Sequence, residues 1–224
     1  MKNKKIIIGV LIGLLLLSGI FLFISLNNKN KQKNVEIDNT AKEVLDSSSS
    51  NTDSKVLVAY FSVAGEVYNV GDVEIGNTAI MASYIKEYLN SDSFEIEPVK
   101  PYTTVYKDLI EVAKEEQKNN TRPEIKNKVN DFYKYDTILI GYPIWWGDLP
   151  TIVYTFLEEY DFTGKTIIPF NTHEGSGSSG TYNMVKNKLS NANVSTNGLA
   201  LQGKIARTEE GKTKTISWLK ELGY

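Results

Sequence analysis

The sequence predicts an α/β domain with a doubly wound sheet of five parallel strands, preceded by one transmembrane helix. Three observations carry that expectation. Five short apolar runs rich in β-branched and aromatic residues recur between residues 55 and 224, each is followed by a longer segment with apolar residues at helical spacing, and one uncharged run precedes them all. A strand followed each time by a helix demands parallel pairing through right-handed crossovers, with helices on both faces of the sheet.

The uncharged run is Ile6–Leu26, which as a helix would reach about 32 Å, against a bilayer core of about 30 Å. Lys2, Lys4 and Lys5 precede it and no small-x-small cleavage site closes it, so residues 1–26 read as an uncleaved anchor rather than a removed signal. Lys29, Lys31 and Lys33 balance the N-terminal lysines. A short cytoplasmic tail, one pass through the cell membrane and an extracytoplasmic domain make the simpler topology. Residues 27–54 lack Gly, Pro and aromatics and are filled with Asn, Lys, Asp and Ser, a composition that predicts a disordered tether. Residues 55–224 then form one domain of ordinary size, expected to fold and to bind ligand without residues 1–54.

Within that domain Lys55–Ser62 reads as a buried strand. Ile80, Met81, Tyr84, Ile85 and Tyr88 make a helix of Thr78–Leu89, and Phe94–Val99 alternates as a short strand. Tyr106, Leu109, Ile110 and Ala113 follow helical spacing, and that helix ends before Arg122-Pro123. Thr137–Ile144 is a second buried strand, Pro150–Tyr160 a helix opened by Pro, Thr166–Asn171 a strand and Gly180–Leu189 a helix. Leu199–Leu201 lies within the last strand, and Lys212–Leu222 closes the chain as a helix with Ile216 and Leu219 inward.

Composition removes several chemistries. Lys and Arg number 25 against 27 Asp and Glu, a formal net charge of −2, so no basic field for nucleic acid exists. The chain has no Cys and one His, His173, which excludes disulfides, thiol nucleophiles and metal sites built on Cys or several His.

Ligands on doubly wound sheets bind beyond the carboxyl ends of the strands, which directs attention to three loops. After the first strand come Ser62 and, beyond an insertion of Val63–Ile75, Gly76-Asn77-Thr78 at a helix start. Free amides there attract an anion, and Ser, Thr and Asn add neutral donors without the lysine of an NTPase loop; a plain helix cap is the alternative. After the third strand, Pro143-Ile144-Trp145-Trp146-Gly147 places adjacent indoles where a flat ligand would give them contact area, unless one packs under the loop and the other caps an apolar edge. After the fourth, Thr172-His173-Glu174-Gly175-Ser176-Gly177 is glycine-rich, which permits close backbone approach to a ring edge, or a flexible linker. His173 by itself is an ordinary loop histidine or a weak catalytic candidate.

Val56–Ser62, Gly76-Asn77-Thr78, Tyr142–Gly147 and Thr172–Gly177, in that order, resemble bacterial flavodoxin-like proteins that bind FMN, over Lys55 to the C-terminus. The resemblance implies strand order 2-1-3-4-5, non-covalent FMN and electron transfer through the flavin. By that match Ser62, Gly76, Asn77 and Thr78 hold the FMN phosphate, Pro143, Ile144, Trp145, Trp146 and Gly147 line the ribityl chain and ring, and Thr172, His173, Glu174, Gly175, Ser176 and Gly177 meet the pyrimidine edge. The Val63–Ile75 insertion departs from the family pattern; with Tyr68, Glu66, Asp72 and Glu74 it would cover the flavin or meet a partner. Asp148 and Glu174 would lower the flavin's potential. The expected function is a membrane-tethered electron carrier, or an FMN-dependent reductase of quinones or similar compounds, serving a redox partner protein or small acceptor; beyond the Gly175–Gly180 run of the fourth-strand loop, no second Gly-x-Gly-x-x-Gly site for a nicotinamide is present. An FMN-free tethered interaction domain on the same fold is the alternative.

Overall fold

The computed structural model describes residues 2–47 and 55–224, with side chains from residue 24 onward. The chain divides into two units, Met1–Ile37 and Asp38–Tyr224. Helix α1 (Lys2–Asp46) runs through the first and ends in the second. Among the described residues no helix is long and apolar enough to cross a membrane; the expected span Ile6–Leu26 falls on α1, and its side chains as far as Phe23 lie outside the described residues.

In the second unit a parallel sheet is built on β1 (Val56–Tyr60), which pairs with β4 (Asp92–Glu95) on one side and β5 (Thr137–Pro143) on the other. Strand β6 (Thr166–His173) continues from β5, and the far edge is split into β7 (Asn193–Val194) and β8 (Leu199–Gln202), both paired in parallel to β6. This is the expected order 2-1-3-4-5 with its fifth strand in two pieces. The insertion forms a separate antiparallel hairpin, β2 (Gly65–Val67) and β3 (Gly71–Val73), with Asn69 and Gly71 at positive φ in its turn. Its strands are too short to show an alternating pattern in sequence.

Alternation along β1 divides the core. Leu57, Ala59 and Phe61 join Ile138, Ile140 and Tyr142 beneath α4 (Thr151–Glu159) and α5 (Thr181–Lys188). Val58, Tyr60 and Leu139 face α2 (Asn77–Leu89), the short α6 (Gly203–Ala206) and α7 (Glu209–Glu221). Helices therefore cover both faces, as the strand–helix alternation requires. The closing helix begins three residues earlier than expected because Thr208 caps it, its hydroxyl accepting from the Gly211 N–H at 3.2 Å.

The stretch expected as a disordered tether is different in its first part. Residues 27–46 are helical, and from Asp38 onward one stripe of α1 is packed: Ala41 is buried and Leu45 lies against the α2–α7 side of the core. Composition pointed to disorder, but Ile37, Ala41, Val44 and Leu45 stand at i, i+4, i+7 and i+8, which is an apolar helical face.

Candidate functional site

Parallel register brings the carboxyl ends of β1, β5 and β6 to one edge, where a cleft of about 290 Å³ opens. The chain crosses from one side of β1 to the other at this point, the switch point at which such sheets bind ligands.

The first wall is the junction of β1 with α2. The hairpin loops out and returns so closely that Ser62 and Gly76, thirteen insertion residues apart in sequence, touch again. Ser62 Oγ accepts from the Ala79 N–H at 3.1 Å and so takes the place of a cap that Gly76 cannot supply. Thr78 Oγ1 lies 2.8 Å from Thr172 Oγ1, joining this junction to the end of β6. Ser62, Asn77 and Thr78 line the cleft; Gly76 is behind them, with no room for a side chain.

The second wall is the loop after β5. Trp145 and Asp148 exchange backbone hydrogen bonds, both 3.0 Å, around Trp146 (φ 50°) and Gly147 (φ 78°), a tight turn with both central residues left-handed. That geometry sends the two indoles apart. Trp145 packs edge-on against Phe61 and Tyr102, with ring centroids 5.3 and 5.2 Å away, whereas Trp146 is 55% exposed and its Nε1–H donates to the Ile110 carbonyl at 3.0 Å. Pro143, Ile144 and both indoles line the cleft, and Gly147 serves only the turn. Asp148 is elsewhere than expected: it does not line the cleft, and its Oδ1 accepts from the Leu149 N–H and the Tyr154 hydroxyl.

The third wall is Thr172, His173 and Glu174. The loop beyond them is ordered by its own bonds, with Asn171 Nδ2 donating to the Gly177 carbonyl at 3.1 Å and Gly175 and Gly177 at positive φ, so it is no flexible linker. Gly175, Ser176 and Gly177 shape the turn but do not line the cleft. His173 Nδ1 accepts from the Gly175 N–H at 2.9 Å, and burial lowers its pKa, so the imidazole is neutral with its proton on Nε2. Burial pushes the Glu174 carboxyl above its ordinary value despite hydrogen bonds from Gly203 and Asn69, and its Oε2 is buried with no partner among the described residues.

Two contributors escaped the sequence reading. Helix α3 (Tyr106–Lys118) turns Leu109, Ile110 and Ala113 into the cleft; their spacing marked only a helix, and nothing local distinguishes a cleft-facing stripe from a core-facing one. Tyr106 stacks on Tyr68 of the hairpin at 5.8 Å, and Glu66 and Tyr68 line the cleft as the insertion was expected to do, while Asp72 and Glu74 do not. Gly203 is the second, because a Cβ there would lie 2.1 Å from Asn77 Nδ2 and 2.3 Å from Glu174 Oε1.

A family model described as Flavodoxin matches residues 55–222. Among solved structures, a Bacteroides eggerthii protein classed as a flavoprotein is 30% identical with a TM-score of 0.61, over 76% of this chain and 99% of its own. A Bacteroides uniformis counterpart, also classed as a flavoprotein, is 30% identical with a TM-score of 0.60, over 75% and 99%. A Lactobacillus acidophilus flavoprotein solved in complex with FMN shares the fold at 24% identity and a TM-score of 0.53, over 68% and 95%. No curated protein sequence matches the chain.

Proposed function

The chain belongs to the flavodoxin family, and on that premise we propose that it binds FMN in the cleft and passes electrons from it to an acceptor that meets the cleft mouth. The observation that carries this reading is the convergence of Ser62, Thr78, Thr172 and the two indoles, from three separate strand ends, on one cleft. The residues also fit the group chemically. Ser62, Asn77 and Thr78 are neutral donors at a helix N-terminus, suited to a phosphate. Trp146 offers an exposed indole face to a ring, and the unpartnered Oε2 of Glu174 fits an imide N–H at the ring's edge. FMN supplies reversible one- or two-electron uptake when bound.

The chain's own residues bind, orient and screen. Trp145, wedged edge-on between Phe61 and Tyr102, holds the wall rigid behind Trp146. Neutral His173 keeps a donor N–H at Nε2 without adding charge. Tyr68 and Tyr106 stack beside the mouth, where they narrow solvent access and leave a flat approach for a small planar acceptor or the edge of a redox protein.

Purified protein is expected to be yellow, with flavin absorption bands, and to bind FMN at least tenfold more tightly than riboflavin, the loss of one hydrogen bond to a charged group being worth about that much. Colourless protein that takes up no FMN on titration would favour the interaction-domain reading instead.

We further propose that residues 1–26 anchor the protein in the cell membrane with the flavin domain outside the cytoplasm, a reading supported by the uncharged run Ile6–Leu26 behind Lys2, Lys4 and Lys5. Protease added to intact cells is expected to release the domain. Protection until lysis reverses the topology.

A further inference from the structure

Arg207 is 3% exposed and Asp38 2%, and the two form an ion pair across 169 residues of sequence, from Arg207 Nη2 to Asp38 Oδ1. The other oxygen of Asp38 accepts from the Glu74 N–H at 2.9 Å, at the point where the hairpin returns toward α2. Arg207 Nη1 in turn donates to the Ile75 carbonyl at 2.8 Å and reaches Asn77 Oδ1 at 3.4 Å. The end of α1 is fastened as well: Lys86 Nζ donates to the carbonyls of Leu45 at 2.8 Å and Ser47 at 2.6 Å, a cation at a helix C-terminus.

We infer that the N-terminal helix completes the phosphate site: Asp38 orients Arg207, and Arg207 positions Asn77 and the backbone leading into Gly76. This rests on the reading that the start of α2 takes the FMN phosphate. Its basis is geometric and electrostatic. The cradle has no lysine of its own, so Arg207 brings a cation to its base, where one arm of the guanidinium fork, Nη1, bonds both the residue before Gly76 and the one after it, and the other, Nη2, is held by Asp38. Neutralising Asp38 takes a carboxylate away from that buried guanidinium, a cost that it relieves by moving away from Ile75 and Asn77. Arg207 acts through Asn77, which makes it a positioning residue, and residues 38–46 belong to the cofactor domain rather than to a dispensable tether.

The test is a set of full-length variants, Arg207→Gln, Arg207→Lys, Asp38→Asn and the double Asp38→Asn/Arg207→Gln, each titrated with FMN and with riboflavin. Arg207→Gln is expected to reduce the preference for FMN over riboflavin roughly tenfold, with riboflavin affinity nearly unchanged. Arg207→Lys, which keeps charge but loses the fork, is expected to fall between Arg207→Gln and the parent, and Asp38→Asn to shift the preference the same way. The double variant should lose no more than Arg207→Gln alone, because Asp38 works through Arg207; it buries no unpaired charge, so it carries the test if Arg207→Gln does not fold. An unchanged preference in the variants, or equal loss of both ligands with a lowered melting temperature, makes the pair a scaffold element only and overturns the inference. A parent protein with no preference for FMN instead removes the phosphate from α2 and both readings fall together.

Discussion

Gly76→Ala is expected to cost FMN affinity about a hundredfold while leaving riboflavin affinity within a few-fold of the parent. The backbone at Gly76 is extended at φ −68°, which alanine adopts freely, so the effect is purely steric. A Cβ there would sit 2.3 Å from Ser62 Oγ and 2.3 Å from the Val63 carbonyl oxygen. The hydroxyl could rotate, but only by releasing the Ala79 N–H that it accepts from. The carbonyl belongs to the backbone at the root of the hairpin and has nowhere to go, so the start of α2 must move off β1. Two hydrogen bonds to a charged phosphate would be lost or weakened, each worth roughly 1.5–3 kcal/mol, which gives at least the stated factor. Gly147→Ala is the contrasting control: its φ of 78° makes alanine strained, yet nothing lies within 4 Å of the new methyl, so a loss of about 1 kcal/mol in stability is expected with the FMN preference intact. Calorimetric titration with both flavins decides the matter, and a Gly76→Ala protein that binds FMN within threefold of the parent would place the phosphate elsewhere.

That prediction uses a contact no local reading could supply. The sheet and its helices were legible because each obeys a period: Leu57, Ala59 and Phe61 alternate with Val58 and Tyr60, and the large apolar residues of α2 recur at helical spacing. The three ligand loops were legible too, since topology says which strand ends meet and composition says what those ends carry. Elements without a period were not: the hairpin strands are three residues each, and the last strand breaks into two pieces around Ser195 and Asn197. The packed end of α1 was missed for another reason. Its stripe is broken by Asp38, which is buried because Arg207 lies far along the chain to receive it, and an acidic residue with an unseen partner reads as solvated. The same limit applies to Asp148, whose position in the indole loop suggested electrostatic work on the ligand until its bonds to Leu149 and Tyr154 showed it bracing the turn.

The two indoles were legible as a pair but not as individuals, and substitution should divide them. Trp145→Ala is expected to destabilise the domain by about 3 kcal/mol, near the low end for removing a large aromatic because the ring is only half-buried, and to strip Phe61 and Tyr102 of their edge contacts. Trp146→Asn should act in the opposite direction on stability. Trp146 holds φ at 50°, a left-handed value that costs a bulky residue about 1 kcal/mol and that asparagine tolerates in this turn. What the indole gives in return within the protein is one exposed hydrogen bond to Ile110 and the Lys114 ammonium over its ring, 5.8 Å from the centroid, which together offset little of that cost. A strained, exposed tryptophan on the cleft wall is therefore kept for what it contacts when ligand is present. Stacking adds about 0.5–1.5 kcal/mol beyond area burial, so Trp146→Asn should weaken FMN and riboflavin equally, by roughly three- to tenfold, and partly restore flavin fluorescence, while its melting temperature stays at or above the parent's. The equality matters, because Gly76→Ala separates the two flavins and Trp146→Asn should not. A Trp146→Asn protein that melts lower than the parent and binds both flavins unchanged would make the second indole structural as well, and would move the ring to the Tyr68–Tyr106 side of the cleft.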